Sequence, residues 1–141
     1  MRGLSDGDAA GLGELLADCG RPVDAPRMAE RVGRLRRADG AALVALEWGP
    51  PSGVAAAHWA PDLLEDAPVA RLDLVLVHPQ ARRRGVGRLL LKAVAQAARQ
   101  GGCRELRVAP PVGDAELRAF FLASGFEPAA CGWARPLRRR G

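Results

Sequence analysis

The amino-acid sequence predicts an α/β fold (α+β mixed sheet), in which a central mixed antiparallel and parallel sheet is flanked by about four helices. Apolar residues recur at helical spacing in four segments, and strand-like segments lie between them. Three strands in succession favour antiparallel pairing, and a further strand after the longest helix favours a parallel pair. With 141 residues and no internal repeat, we expect a single domain over residues 1–141.

Two helices are predicted near the start of the chain. The first covers Ser5–Ala17, where cap-type residues precede leucines at helical spacing. The second begins at Asp24, is favoured by Pro26, and runs through Arg37 with apolar residues at intervals of four and three. The loop 18–23 between them is either a plain helix connection or part of a substrate pocket.

A hairpin and a third strand follow these helices. Ala41–Trp48 and Val54–Trp59 are short apolar runs on either side of Gly49–Gly53, which is typical of an antiparallel hairpin with a five-residue loop. Val69–Val77 alternates as a strand does. One predicted face carries Leu72, Leu74 and Leu76, and the other carries Arg71, Asp73, Val75 and Val77.

The remaining elements follow this third strand. Val86–Gln100 is the strongest predicted helix, and Gly101–Gly102 ends it. We predict a strand over Glu105–Val108 and a capped helix over Asp114–Ser124. A last pair of short strands is predicted over residues 125–137.

The composition excludes several classes of protein. The chain is 48% hydrophobic and 26% charged, and no apolar run approaches the roughly 20 residues of a membrane helix. No export signal is recognised at the N-terminus, so we expect a cytoplasmic protein. Cys19, Cys103 and Cys131 are scattered and, with only two histidines, fit neither a disulfide framework nor a metal site. The net charge of +5 comes almost wholly from arginine and indicates an anionic ligand, nucleic acid, or simply an arginine- and alanine-rich genomic composition.

The segment after the third strand combines the features of an anion site. The strand ends at Val77, and a short loop enters the long helix through Gly85 and Gly87, which leaves backbone N–H groups unpaired at the helix start. The helix dipole and the surrounding arginines favour a diphosphate there. Leu90 replaces the third glycine of the dinucleotide-binding fingerprint, and the Gly-Lys-Ser/Thr of nucleotide hydrolases is absent, so both of those loops are disfavoured.

Two motifs carry a specific family resemblance. Residues 82–87, Arg-Arg-Arg-Gly-Val-Gly, resemble the (Arg/Gln)-x-x-Gly-x-(Gly/Ala) motif of the GNAT superfamily of acyl-CoA N-acyltransferases. Residues 119–126, Ala-Phe-Phe-Leu-Ala-Ser-Gly-Phe, resemble the Phe-Tyr-x-x-x-Gly-Phe segment of that family. The resemblance covers nearly the whole chain, although the first strand of the GNAT fold is reduced to a residue or two around Met1-Arg2.

This resemblance implies a binding site for acetyl-CoA. The main-chain N–H groups from Arg82 through Arg88 would hold the pyrophosphate, the strand residues would pair with the pantetheine arm as an added strand, and a strand N–H near Val77 would polarise the thioester carbonyl. Phe121 occupies the position of the family's tyrosine and would also contact the coenzyme. The implied coenzyme-binding residues are Val75, Leu76, Val77, Arg82, Arg83, Arg84, Gly85, Val86, Gly87, Arg88 and Phe121.

Acyl transfer to an amine also needs a base. Asp73 lies four residues before Val77 on the polar face of the strand, where many members of the family carry an acidic residue, so we predict it as the base. The alternative is a structural salt bridge between Asp73 and Arg71 or another arginine. Glu47 and His58 are the reserve candidates, although a lone histidine at such a position is more often a packed residue.

The sequence departs from the family at the acid that protonates the leaving sulfur. Phe121 stands at the position of the tyrosine, and the chain contains no tyrosine at all. Either another group, such as Ser124 or a water molecule, donates the proton, or the thiolate leaves unassisted. Unassisted departure is feasible because a thiol has a pKa of roughly 8.5.

The function implied is an N-acetyltransferase that transfers an acetyl group from acetyl-CoA to a primary amine, of a small molecule or a protein, by direct attack in a ternary complex. One alternative is a coenzyme-binding or regulatory module with weakened catalysis. Another is nucleic-acid association through the basic C-terminus (Arg135 and residues 138–140), although a basic tail is usually a solvated end. No membrane partner is expected. Small residues near the C-terminus, Ala129, Ala130 and Gly132, would allow a homodimer.

Overall fold

The computed structural model describes residues 1–109 and 114–127. The chain divides into two compact units, Met1–Arg107 and Val108–Gly141. The first unit contains the sheet and three α-helices, and the described part of the second contains one further α-helix. The expectation of a single domain stays a prediction.

The first unit begins with a short strand and two helices, and its sheet follows. The first three elements are β1 (Arg2–Gly3), α1 (Ala9–Asp18) and α2 (Ala25–Arg37). The rest are β2 (Gly40–Ala45), β3 (Gly53–Ala60), β4 (Val69–Val77), α3 (Val86–Gln100) and β5 (Leu106–Arg107).

The sheet confirms the predicted mixed topology. Its strands lie in the order β1-β2-β3-β4-β5, and each neighbouring pair from β1 to β4 is antiparallel. β5 is parallel to β4, as expected for strands joined by the crossover helix α3, and it pairs only through Ala70 and Arg71. The remainder of β4 therefore has no strand beside it on that edge within the described part of the first unit.

The two faces of the sheet are covered by different helices. Leu15 of α1 and Val32 of α2 are buried in one cluster with Val54 of β3. The preceding residue, Gly53, faces the other side of the sheet, where a Cβ would lie 2.9 Å from Leu90 Cδ1 of α3. The lack of a side chain at this position allows α3 to approach the sheet closely.

Two predicted element boundaries are wrong because a side chain forms a hydrogen bond with the backbone at each of them. The Asp8 carboxylate accepts a hydrogen bond of 2.8 Å from the Ser5 N–H, and a 3-10 turn at Asp6–Asp8 replaces the first turn of the predicted helix. β2 ends at Ala45 instead of Trp48, because the Ser52 N–H and hydroxyl both donate to the Ala45 carbonyl. The hairpin loop is therefore 46–52.

The predicted alternation along β4 is also wrong in its middle. The register shifts between Ala56 and Ala57, so that Leu72 pairs with Ala57 and Leu74 with Ala56, and Asp73 is the extra residue of a β-bulge. A bulge interrupts the alternation of side chains. Leu72 remains buried, at 7% exposure, whereas Leu74 is 38% exposed.

The second unit contains α4 (Ala115–Ala123). The Asp114 carboxylate accepts a hydrogen bond of 2.9 Å from the Leu117 N–H, which confirms the predicted cap. No strand includes residues 125–127, and the rest of the predicted final strand pair, to Leu137, lies outside the described residues. None of the described helices is long and apolar enough to cross a membrane.

An ion pair between exposed Arg2 and buried Asp8 connects β1 to the start of α1. Asp8 is 7% exposed, and Arg2 donates two hydrogen bonds of 2.7 Å to its carboxylate oxygens. The hydrogen bond from Arg2 lowers the pKa of Asp8, with smaller contributions from Ser5 and against the effect of burial. A carboxyl group with a lower pKa in the folded state stabilises the fold above its ordinary pKa, and this contribution is lost as the pH falls below that value.

We expect Asp8→Asn to lower the free energy of unfolding at pH 7 by about 1–3 kcal/mol, because the Arg2 and Ser5 donors lose a charged acceptor. The variant should also lose less stability than the wild type as the pH falls below about 4. Thermal denaturation at pH 7 and at pH 3 measures both effects. Asp6→Asn is the control, because Asp6 is exposed where it pairs with Arg36. An equal acid-induced fall in Tm for wild type and Asp8→Asn would contradict this assignment.

Candidate active site

The loop between β4 and α3 has an unusual backbone. After a 3-10 turn at Pro79–Ala81, both Arg83 and Gly85 adopt positive φ, at 67° and 80°. Helix α3 then begins at Val86 with Gly85 as its N-cap. A left-handed backbone favours glycine far more than arginine, so Gly85 suits its position and Arg83 is strained. A Cβ added at Gly85 would meet no heavy atom within 4 Å, so the main chain is accessible there.

This loop presents a continuous run of hydrogen-bond donors. None of the seven backbone N–H groups from Arg82 to Arg88 forms a hydrogen bond of normal geometry with another described residue. The Leu89 N–H is the first to bond within the helix, to the Gly85 carbonyl at 3.1 Å. Unpaired N–H groups at a helix start, together with its dipole, form an anion site. This confirms the predicted exposure of donors at the start of the helix.

The four arginines of the loop differ in their partners. Arg82 Nε donates to the Val77 carbonyl at 3.4 Å, and an Arg84 amino group donates to the Glu47 carboxylate at 3.3 Å. Neither Arg83 nor Arg88 pairs with an acidic group among the described residues. Two free cations beside seven free N–H groups fit a diphosphate, so the chain's own residues suit the coenzyme that the resemblance implies.

The open edge of β4 carries further donors and acceptors. Val77 pairs with Gly53, and the next N–H, of His78, donates to the Ser52 carbonyl at 2.8 Å. In antiparallel pairing this pattern alternates, so the N–H and C=O groups of Val75 and Val77 point away from β3. Two of the three predicted strand residues therefore face the open edge.

Leu76 does not reach that edge. Leu76 pairs with Val54. Because the pattern alternates and the groups of Val75 and Val77 point outward, the N–H and C=O of Leu76 point toward β3. Its side chain packs against the core cluster beneath α1 and α2. The residue is placed to support β4, and its backbone is not available to a ligand strand.

The predicted base has a histidine partner. Asp73 lies at the bulge, and its two carboxylate oxygens are 2.9 and 2.8 Å from His58 Nδ1. Both side chains are about half exposed, at 46% and 47%. The arginine partner that the alternative interpretation required is not found for Asp73 among the described residues, and Arg71 pairs with His58 only through the strand register. Sequence reasoning missed this contact, since the two residues are 15 positions apart and meet only through the register of β3 on β4.

A second histidine–aspartate pair lies at the other end of β4. His78 Nε2 is 2.9 Å from an Asp18 carboxylate oxygen, and His78 Nδ1 accepts a hydrogen bond of 3.1 Å from the Gln80 N–H. This pair joins the end of α1 to the loop that follows β4. Cys19 lies next to it, with Sγ 3.8 Å from the Val77 carbonyl, and desolvation raises the pKa of its thiol.

A pocket of about 290 Å³ lies beside the same loop. Its walls come from the end of α1, the hairpin loop 46–52 and the loop after β4, and they include Asp18, Glu47, Trp48, Pro51, His78 and Arg84. Glu47, a reserve base candidate, is thus paired with Arg84 in this pocket. About six residues of β3, roughly 20 Å of extended strand, separate Ser52 in the pocket wall from His58, so the pocket and the His58–Asp73 pair are different places.

The other predicted site residue belongs to the second unit. Phe121 is 7% exposed and packs against Phe120 and Phe126, at ring-centroid distances of 5.6 and 5.2 Å. The Ser124 hydroxyl, a candidate substitute acid, is inaccessible to solvent and has no hydrogen-bond partner among the described residues. Cys131 lies outside the described residues, as do the basic C-terminus and the small residues near it.

The described residues offer no metal centre. No group of three or more histidine, cysteine, aspartate or glutamate side chains in that part of the chain is arranged to hold a metal ion. Cys103 is buried, and burial raises the pKa of its thiol. A buried, protonated thiol is a poor nucleophile.

Comparison with known proteins gives a consistent family. The model of the acetyltransferase (GNAT) family matches residues 10–126, which is most of the chain. The aminoglycoside N(6')-acetyltransferase type 1 of Stenotrophomonas maltophilia is 44% identical over 63 residues, which is 45% of this chain and 41% of that protein. The matched segment thus spans less than half of the curated relative.

Solved structures share the fold over nearly their whole length. The structure of AAC(6')-Iy in complex with the bisubstrate analogue CoA-S-monomethyl-acetylneamine has a TM-score of 0.84 at 22% identity, covering 98% of this chain and 97% of that chain. A transcriptional regulator from Bacillus halodurans C-125 has a TM-score of 0.85 at 18% identity, covering 96% of this chain and 97% of that chain. At these identities the likeness concerns the fold alone.

The loop geometry makes a prediction for coenzyme binding. Gly85→Val should weaken coenzyme A binding roughly tenfold or more, about 1.4 kcal/mol, because a side chain would project over the N–H groups and strain the backbone. Gly102→Val is the matched control. Gly102 also has positive φ, at 90°, with open space around it, but it lies beyond the other end of α3.

Isothermal titration calorimetry with coenzyme A measures the affinity, and thermal denaturation compares the strain in the two variants. Similar losses of stability, with loss of affinity in Gly85→Val alone, are the expected outcome. Equal affinities in both variants would show that the ligand does not approach the main chain at this loop.

Proposed function

This chain belongs to the acetyltransferase (GNAT) family, and we propose that it transfers the acetyl group of acetyl-CoA to a primary amine by direct attack in a ternary complex. The observation that carries this proposal is the run of unpaired N–H groups from Arg82 to Arg88, which continues directly from the open edge of β4. A diphosphate held by the loop would leave the rest of the coenzyme free to extend along that edge.

The proposed position of the coenzyme follows from this continuity. With the diphosphate at the loop, the pantetheine arm pairs with the outward-facing groups of Val77 and then Val75, as an added strand pairs with a sheet edge. Its reactive end therefore points toward the N-terminal half of β4, where Asp73 lies. In this arrangement the outward-facing N–H nearest the reactive end is that of Val75, two residues from Val77, and it donates to the thioester oxygen and stabilises the negative charge that develops there.

The chain's polar groups near that reactive end provide the acid–base chemistry. An amine acceptor is an ammonium ion at neutral pH, and it must lose a proton before its nitrogen can attack a carbonyl carbon. Asp73 and its partner His58 are half exposed at this part of the strand and supply the proton acceptor. A covalent acyl route through Cys103 is disfavoured, because the Cys103 thiol is buried with a raised pKa.

The acceptor is proposed only as a class, a primary amine. Amino groups of aminoglycosides are the first to test, because the curated relative of Stenotrophomonas maltophilia is named for that substrate and is 44% identical over the matched 63 residues. Amines on small molecules and at peptide N-termini remain in the same class. The partners of the proposed reaction are therefore acetyl-CoA and the amine.

A second candidate function is a coenzyme-binding module without efficient catalysis. Phe121 favours it, because a phenyl ring cannot donate a proton to the departing sulfur. The two candidates make different predictions, since both bind acetyl-CoA but only one acetylates an amine.

The experiment that tests the proposal combines binding and turnover. Acetyl-CoA is titrated calorimetrically into the protein, and then neamine, kanamycin, spermidine and a peptide with a free N-terminus are each incubated with acetyl-CoA. Mass spectrometry detects a gain of one acetyl group, and thiol release gives the rate. Binding with acetylation supports the enzyme, binding without acetylation of any amine supports the module, and absence of binding overturns both.

The departing sulfur generates a further prediction. Phe121→Tyr should raise kcat when thiolate departure limits the rate, by up to roughly 10²-fold, because a phenol supplies the missing proton donor. Phe120→Tyr is the matched control, since it adds the same hydroxyl to the adjacent ring of α4. Steady-state kinetics across pH 6 to 9 measure the effect. An unchanged rate and pH profile in Phe121→Tyr would show that the sulfur leaves without help from this position.

A further inference from the structure

We propose that His58 is the residue that accepts the proton from the amine, through its Nε2 atom, and that Asp73 is a positioning residue that acts through His58. This inference rests on the proposed acetyl transfer and assigns the base within it. It is carried by the contact between His58 Nδ1 and both carboxylate oxygens of Asp73, at 2.9 and 2.8 Å.

The contact determines which ring nitrogen of neutral His58 carries the hydrogen. An ionised carboxylate can only accept hydrogen bonds, so the nitrogen that faces Asp73 must be the donor. The hydrogen is therefore on Nδ1, and Nε2 carries the lone pair. No described residue forms a hydrogen bond with His58 Nε2, and the His58 side chain is 47% exposed. A free lone pair on an accessible imidazole is the arrangement that a general base requires.

The second histidine shows that this arrangement is specific to His58. His78 Nδ1 accepts from the Gln80 N–H, so in neutral His78 the hydrogen is on Nε2, where it is donated to Asp18. Both nitrogens of His78 are thus occupied, and its side chain is only 24% exposed. The two histidine rings are therefore opposite tautomers. Of the two, only the His58 ring has an acceptor nitrogen, Nε2, with no hydrogen-bond partner among the described residues.

The pairing of β3 with β4 explains why Asp73 can reach His58. In the paired register His58 lies opposite Arg71, and Asp73 is the extra residue inserted between the partners of Ala56 and Ala57. Because Asp73 is two residues from Arg71, its side chain lies on the same face as those of Arg71 and His58, and the insertion places Leu74 on that face as well, opposite Ala56. About two residues, roughly 7 Å of strand, separate Asp73 from Val75, whose N–H faces the open edge where the pantetheine arm is proposed to lie.

The proposed step conserves atoms and charge for an acceptor R–NH₃⁺. His58 Nε2 takes one proton from the ammonium and becomes an imidazolium, whose Nδ1–H remains bonded to the Asp73 carboxylate. The amine nitrogen forms a bond to the acetyl carbon as the carbon–sulfur bond breaks. The nitrogen's second proton leaves with the sulfur as the thiol, and the imidazolium returns its proton to solvent. The products are the acetamide, coenzyme A and one proton.

The tautomers can be tested without any substrate. Because the chain has only two histidines, ¹⁵N-histidine NMR of the wild type and of His78→Gln assigns every ring nitrogen. At a pH where both rings are neutral, we expect a protonated Nδ1 and an unprotonated Nε2 for His58, and the reverse for His78. A protonated Nε2 on neutral His58 would overturn the proposal.

Turnover of the amine that the acetylation experiment identifies distinguishes the role of His58 from that of Asp73. His58→Ala should lose roughly 10²–10⁴-fold in kcat and be partly rescued by added imidazole. Asp73→Asn should also lose about 10²-fold or more, because an asparagine amide can donate to the ring and reverse its tautomer. Asp73→Ala should lose less than Asp73→Asn, since it leaves the ring free to adopt either tautomer. Asp6→Asn, the same change at the exposed ion pair with Arg36, should stay within about threefold of the wild type.

Each outcome has a defined meaning. If His58→Ala keeps wild-type kcat while both Asp73 variants lose activity equally, Asp73 itself is the base and the inference is wrong. Loss in His58→Ala without imidazole rescue makes the role structural and also overturns it. If no amine is acetylated although acetyl-CoA binds, the proposed function fails, whereas the NMR result still decides the tautomer.

Discussion

The pairing of β3 with β4 is the constraint on which the described site depends. It spans Val69–Val77 and contains one register shift, opposite Asp73. On one side of that shift the pairing aims the main-chain groups of Val75 and Val77 at an open edge, and on the other side it sets Arg71 opposite His58, so that Asp73 shares the face of His58. A slip of one residue would reverse both orientations, because side chains and hydrogen-bonding groups alternate with a period of two.

Close packing on both faces holds this register. Leu15 and Val32 bury against Val54 on one face, and Leu90 of α3 approaches Gly53 on the other. Each fully buried leucine or valine contributes about 1.5–3 kcal/mol relative to an exposed one, so the faces of β3 cannot be exchanged at small cost. The same packing fixes the start of α3 at the end of β4, which leaves the intervening loop short and its N–H groups unpaired.

The two parts of the site, the loop between β4 and α3 and the His58–Asp73 pair, use different kinds of interaction. The loop combines a helix start with N–H groups and two cations that have no acceptor or acidic partner among the described residues, and it is suited to bind an anion through backbone atoms. The His58–Asp73 pair acts through side chains. The ring nitrogen that faces the carboxylate donates to it, so the other nitrogen carries the lone pair. Phe121, buried among its aromatic neighbours in the second unit, has a phenyl ring where the family has a phenol.

Much of the fold could be predicted from the sequence, and the errors have physical causes. The helices α2, α3 and α4 were predicted within a residue or two, because their caps and apolar spacing are local signals. The predicted end of β2 was wrong because Ser52 bonds to the Ala45 carbonyl and turns the chain there. The placement of Leu74 on the same face as Leu72 was wrong because a bulge depends on how two strands pair. Leu76 was expected at the coenzyme and is instead directed to β3 and the core.

The sequence by itself determined the family and the anion-binding loop, because Gly85, the arginines and the helix start that follow β4 are neighbours along the chain. The tertiary structure alone decided which strand residues face the open edge, that Arg84 pairs with Glu47, and that Asp73 meets His58. These contacts join residues 15 or 37 positions apart. Register and bulge position set such distances, and neither is encoded by the spacing of residues within one segment.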